Sequence, residues 1–255
     1  MKTIAIFYNN GGVGRTTSTI NIGACLATEK KKKVFIVDLD NAAFLTEALQ
    51  IEGGNYIADV IREGRKLTEE DFGKTTTPNL FVLKNRRNEI SDKLFQSTKS
   101  DGSKVDNIFI LKELFSELDG DFIIFDCPQY YELPTLNVLA FADYMLCPLE
   151  VSPKGLDTLE SMLHVHKQTA KINPELKMLG FFGTKVEMHY RRFKKTIPIL
   201  KKQLGELFFN ATISKNEDIV TSQSKFLKQT VYEYGDVKAM QEFTNLTNEI
   251  LLKIQ

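Results

Sequence analysis

Ile4-Ala5-Ile6-Phe7-Tyr8 runs straight into Asn9-Asn10-Gly11-Gly12-Val13-Gly14-Arg15-Thr16-Thr17, and a helical pattern starts inside that glycine-rich stretch. An apolar strand that turns through glycines into a helix constrains the chain more than any other feature. Such a strand has no polar face, so both its sides need cover, and the helix that follows supplies one of them. The junction is also suited to anions: first-turn N–H groups have no intrahelical partner, and the helix dipole favours negative charge. A second apolar run, Val34-Phe35-Ile36-Val37, ends in Asp38-Leu39-Asp40. Two carboxylates there are what a bound polyphosphate needs for magnesium and an oriented water. The two runs together predict nucleotide binding.

The alternation continues along the chain. Strand-like runs cover residues 3–8, 34–38, 80–84, 122–126, 144–149, 177–184 and 211–213, and helical spacing covers 16–28, 108–118, 156–169, 192–204 and 237–254. This pattern predicts an α/β fold, a doubly wound and mainly parallel sheet with helices on both faces. Residues 53–77 are polar with short helical hints, and residues 85–105 are charged and irregular. No repeat or composition step divides the 255 residues, so a single domain, 1–255, is expected. The histidines His164, His166 and His189 have no metal-ligand spacing with cysteine, and Phe181, Phe182, Phe208 and Phe209 read as core.

Charge excludes little, because Lys+Arg and Asp+Glu balance at 33 each. Cys25, Cys127 and Cys147 lie in or beside apolar runs, which reads as buried thiols in a reducing compartment. No apolar run approaches the ~18 residues of a membrane span, and the chain opens directly on a strand, so a cytoplasmic location is expected.

In the standard phosphate loop, Gly-x4-Gly-Lys-Ser/Thr, the lysine reaches the β- and γ-phosphates and the hydroxyl holds magnesium. Here Asn9 occupies the first glycine position, followed by Gly14, Arg15 and Thr16. Arg15 keeps the charge, but its planar fork is bulkier than an ammonium. Farther on, Asp121-Phe122-Ile123-Ile124-Phe125-Asp126-Cys127-Pro128 is an apolar strand ending in a carboxylate, the spacing expected of a second magnesium-linked aspartate on an adjacent strand.

These segments, with Asn21-Ile22-Gly23-Ala24-Cys25-Leu26-Ala27 after the loop, resemble the deviant Walker box, switch strand and Walker B of the ParA/MinD family. The helix 133–143 and Thr212-Ile213-Ser214-Lys215-Asn216 extend the resemblance almost to the C-terminus. It implies an ATPase using ATP and Mg²⁺. By position, it implies that Gly11, Gly12, Val13 and Gly14 form the loop backbone. Arg15 then stands at the phosphate-binding lysine, Thr16 at the magnesium ligand and Thr17 at a phosphate-contacting hydroxyl. Asp40 orients the attacking water, Asp38 and Asp126 serve the magnesium, and Lys215 and Asn216 lie near the base.

One departure matters. The family's signature lysine, which reaches across a dimer, is Asn10 here. A cation from elsewhere is then required, and Lys154, in Ser152-Pro153-Lys154-Gly155, follows a strand whose carboxyl end faces the ligand edge of such a sheet. A missing signature lysine with a lysine in this later loop resembles the McdA branch, whose members space carboxysomes over the nucleoid. The implied partners are a second copy in a nucleotide-sandwich homodimer, nonspecific DNA and an adaptor, McdB-like for a carboxysome cargo or ParB-like for plasmid or chromosome partition. Slow hydrolysis, stimulated by adaptor and DNA, is expected. A degenerate, non-hydrolysing nucleotide-binding module associated with DNA is the alternative.

The DNA reading has its own residues. Arg191, Arg192, Lys194, Lys195, Lys201 and Lys202 concentrate six cations, with Lys225 and Lys228 further on. Such a cluster suits phosphate contact without base reading, although charge runs on helices are usually solvated faces. The final helix carries one lysine after residue 245 and no basic face, so it lacks the charge of a membrane anchor. A nucleoid-associated protein with no membrane partner is therefore expected.

Overall fold

The computed structural model describes residues 1–98, 104–152 and 157–254. Its strands are β1 (Lys2–Ile6), β2 (Val34–Asp38), β3 (Ile51–Glu52), β4 (Gly73–Thr75), β5 (Leu80–Leu83), β6 (Gln96–Thr98), β7 (Lys104–Asp106), β8 (Phe122–Asp126), β9 (Tyr144–Glu150), β10 (Lys177–Val186) and β11 (Phe208–Ser214). Nine of them form one sheet in the order β11-β10-β9-β1-β8-β2-β5-β4-β3, and β6 and β7 make a separate antiparallel hairpin. From β11 to β5 every neighbouring pair is parallel; at the far edge the β5–β4 and β4–β3 pairs are antiparallel.

The central strands are continuous apolar runs because helices cover both faces. β1, β2 and β8 are buried at nearly every position. On one face Ile20, Ile22 and Leu26 of helix Arg15–Thr28 and Phe243, Leu246 and Ile250 of helix Val237–Lys253 pack with Ile4, Ile36 and Ile124. On the other, Val60, Leu111, Val138, Val165, Phe193 and Ile197 from five helices pack with Ala5, Phe35 and Phe125. The last helix is thus the core element its spacing predicts. Among the described residues no helix is long and apolar enough to cross a membrane, and all three cysteines are free and buried.

Helix Arg15–Thr28 lies very close to the sheet at Gly23, where an added Cβ would come within 3.0 Å of Ile36 and 3.2 Å of Leu80. That approach sets the position of the helix N-terminus over the strand ends. The strand order reverses beside β1, with β8, β2 and β5 on one side and β9, β10 and β11 on the other. In open α/β sheets ligands bind outside the carboxyl ends of the strands at such a reversal.

The sequence pattern located the seven parallel strands, with the largest boundary shifts in the first and the last. β1 stops at Ile6, and β11 extends over Phe208–Ser214 instead of 211–213. The polar stretch 53–77 holds helix Ile57–Glu63 and the short strand β4, and the charged stretch 85–105 contributes β6 and the start of β7.

Candidate nucleotide-binding site

The glycine loop joins β1 to its helix through Gly12 and Gly14, both with positive φ of 73° and 89°. Gly14 is also the helix N-cap; it offers no side-chain cap, and no acidic residue follows in the first turn. The N–H groups and dipole at that terminus are therefore left for an external anion. A cavity of about 760 Å³ opens there, lined by Gly11 to Thr17, Asp40, Phe44, Arg87, Lys185, Val220, Gln223, Ser224 and Lys225 among others.

Three aspartates meet behind the loop. Asp38 and Asp126 are register partners on β2 and β8, and both are fully buried. The Thr16 hydroxyl donates to Asp126 Oδ2 at 2.7 Å, while Asp126 Oδ1 is buried with no hydrogen-bond partner. Burial pushes the Asp126 carboxyl well above its ordinary range; the charge on Asp38 adds to this, and Arg15 and Thr16 oppose it. Asp38 is pushed up to about 7, mainly by burial, against hydrogen bonds from the Thr46 hydroxyl and N–H. Its other oxygen accepts the Asp40 N–H at 3.2 Å.

An orphaned carboxylate oxygen beside a threonine hydroxyl is a hard-oxygen donor set that fits Mg²⁺. The described residues contain no group of three or more His, Cys, Asp or Glu disposed to hold a metal alone.

Arg15, expected at the phosphates, lines the cavity but is held by protein acceptors. Its side chain turns inward, with 8% exposure, and Nη1 donates to the carbonyls of Tyr8 at 2.9 Å and Asn10 at 2.6 Å. Nε donates to the Cys127 carbonyl at 3.1 Å, and Nη2 pairs with Asp40 Oδ2 at 3.3 Å. A guanidinium has five donors in a rigid fork, and converging carbonyls satisfy it better than they would an ammonium. Asp40 is held in turn, its Oδ1 accepting the Ala42 N–H at 2.9 Å.

Other expected residues also lie elsewhere. Asn216 caps helix Glu217–Ser222 by accepting the Asp218 N–H at 2.9 Å and donates to Asp236 at 3.1 Å. Lys215 lines a groove with Glu187, Tyr190, Arg191 and Arg192. Neither lines the loop cavity; Val220, Gln223 and Ser224 do. Lys154 lies outside the described residues.

Arg191, Arg192, Lys194, Lys195, Lys201 and Lys202 are all exposed on helix Arg191–Leu204, which buries Phe193, Ile197 and Leu200. Lys225 and Lys228 do not join them. Their segment packs through Ile219 and Val231 on the opposite face of the sheet, and Lys225 lines the loop cavity.

The sequence reading missed several residues at this site. Gln223 accepts the Thr17 hydroxyl at 3.1 Å, and Thr184 donates to the Val13 carbonyl at 2.9 Å. Gln129 sits within 2.8 Å of where a Gly11 Cβ would be. Lys185 lines the same cavity. Thr46, which supports Asp38, is the one with a sequence signal, a hydroxyl residue soon after the switch strand.

Residues 1–178 match a family model described as an AAA domain (AAA_31). A chromosome-partitioning ATPase, Soj, of Treponema pallidum is 27% identical over 255 residues, covering 99% of this chain and 98% of that protein. The fold is that of Cyanthece apo McdA, with a TM-score of 0.77, 21% identity and coverage of 98% and 99%. It is equally that of the septum site-determining protein MinD of Pyrococcus horikoshii in complex with Mg-ADP, with a TM-score of 0.75, 21% identity and coverage of 98% and 95%. The match over residues 1–178, with Soj-type relatives along the chain, makes the assignment: the chain belongs to the AAA_31 family of AAA domains, among its ParA/MinD-type members.

Proposed function

We propose that this protein is a ParA-type ATPase that binds ATP with Mg²⁺, closes into a homodimer and then holds nonspecific DNA. The observation that carries the reading is the buried Asp126, whose Oδ2 accepts the Thr16 hydroxyl while Oδ1 has no partner, behind a helix N-terminus left uncapped. Loop N–H groups from Gly11 to Thr17 cradle the phosphates. Thr16 and Asp126 hold the magnesium environment, and Asp38, tied to Thr46, fixes the chain that carries Asp40. Bound magnesium would neutralise charge on the phosphates. Asp40 orients the attacking water once Arg15 releases it.

The exposed cations of helix Arg191–Leu204 serve DNA by phosphate contact. An adaptor stimulates hydrolysis and release, so that a cargo follows the bound protein. Asn10 at the signature position, with Lys154 in the later loop, favours a carboxysome cargo with an McdB-like adaptor. The Soj relative, aligned over nearly the whole chain, favours a replicon with a ParB-like adaptor as the second reading. The engaged guanidinium of Arg15 is the observation behind the non-hydrolysing alternative, and phosphate release with DNA and adaptor separates it from turnover.

The direct test is Asp40→Ala. The variant is expected to accumulate as an ATP-bound dimer and to retain DNA longer than the unaltered protein in a filter or gel assay. Failure to dimerise with ATP, together with loss of DNA, removes the switch role from Asp40.

A further inference from the structure

The geometry points to Lys185 as a cation that this chain brings to the phosphates from within its own protomer, with Glu150 as its resting partner. The inference rests on the nucleotide reading above and adds a residue to it. The loop's own cation is already committed, because the Arg15 fork is taken up by three carbonyls and Asp40. Arg87, also at the cavity, is clamped by both Glu47 oxygens at 2.6 Å. Of the cavity's cations, Lys225 and Lys185 are then the ones left to move toward an incoming polyphosphate.

Lys185 is different on three counts. It lines the loop cavity, and a methyl placed on Gly12 would lie 3.9 Å from its Nζ. Its position is fixed from behind, since the neighbouring Thr184 hydroxyl donates to the Val13 carbonyl at 2.9 Å and so fastens the end of β10 to the loop. Its backbone adopts φ 52°, a left-handed conformation that costs energy for a residue with a Cβ and tends to occur where a side chain must be aimed.

Its present partner is a poor competitor. Glu150, at the end of β9, pairs with Nζ at 3.3 Å, and the two side chains are 47% and 36% exposed. Exposed pairs of this kind hold weakly, so an incoming phosphate, with more charge and more acceptors, displaces the carboxylate. The competing explanation is that the pair only ties β9 to β10.

Calorimetric titration with ATP–Mg²⁺, ADP–Mg²⁺ and adenosine separates the two for Lys185→Ala, Lys185→Arg and Glu150→Gln, each first checked for an unchanged thermal midpoint. Lys185→Ala is expected to weaken ATP and ADP about tenfold without changing adenosine binding. Lys185→Arg should recover most of that loss, and Glu150→Gln should bind as well as the unaltered protein or better. ATP affinity within twofold of normal in Lys185→Ala overturns the assignment while leaving the nucleotide reading intact. So does an equal loss in Glu150→Gln, which marks the pair as a strand tie. If the unaltered protein itself binds no adenine nucleotide, the underlying reading falls with it.

Discussion

Arg15 behaves in this structure as a brace more than as a ligand for phosphate. Its fork joins Tyr8 just past β1, Asn10 in the loop, Cys127 after β8 and Asp40 after β2. Removing it takes a donor from the Cys127 and Asn10 carbonyls and from Asp40, while the Tyr8 carbonyl keeps the Asn10 N–H, and each buried group left unsatisfied costs about 1–3 kcal/mol. Arg15→Ala is therefore expected to lower stability by about 3 kcal/mol without any nucleotide present, measured by denaturant unfolding. Arg15→Lys should restore little of this, because an ammonium cannot satisfy so many converging acceptors in one plane. Full recovery by lysine would favour a phosphate role over bracing. The loop and the aspartates were legible in the sequence because they are contiguous motifs at strand ends. The inward turn of Arg15 was not, since its acceptors come from three separate strand ends brought together only by sheet order.

Elements were legible in proportion to how their burial patterns them. Parallel strands covered on both faces appear as unbroken apolar runs, so β1, β2, β5, β8, β9 and β10 stand out in the chain. β3 and β4 are two and three residues long at an edge, too short to write a period, and the β6–β7 hairpin lies in charged sequence. Lys185 and Gln223 were missed for a related reason: a strand end and a short polar segment carry no local mark of what they approach. Helix Arg191–Leu204 shows the converse. Its buried Phe193, Ile197 and Leu200 fix which face is outward, and the six cations follow from that. Lys194→Glu with Lys195→Glu is expected to reduce ATP-dependent DNA retention across all sequences alike and to flatten its salt dependence, by about one unit of slope per lost phosphate contact. Retention assays from low to moderate salt would read both effects. An unchanged slope would assign these lysines to solvent.

At the level of the whole molecule, the sheet edge is held by an ion pair between the exposed Arg65 and the buried Asp71. Asp71 is almost fully buried and accepts from Arg65, from the Thr68 N–H at 2.8 Å and from Asn55 at 2.7 Å. Burial alone would raise its pKa, but these partners outweigh burial and hold the carboxyl far below its ordinary range. Its folded pKa thus lies below the unfolded value of about 3.9. The stability it contributes is complete above that pH and is lost as acid carries the protein down toward the folded value. Asp71→Asn is expected to cost about 2 kcal/mol near neutral pH and to show a shallower loss between pH 4 and pH 2. Urea titrations at several pH values would check this, and equal acid sensitivity in both proteins would remove Asp71 from the account.

The wall facing the loop has a consequence for how the protein is made. The matched domain ends at residue 178, yet Lys185, Val220, Gln223 and Ser224 all line the cavity, and Gln223 meets Thr17 across 206 positions of chain. A polypeptide still emerging from the ribosome has its glycine turn long before it has the far side of the chamber. The full chamber therefore exists only once the residues up to Lys225 have been made.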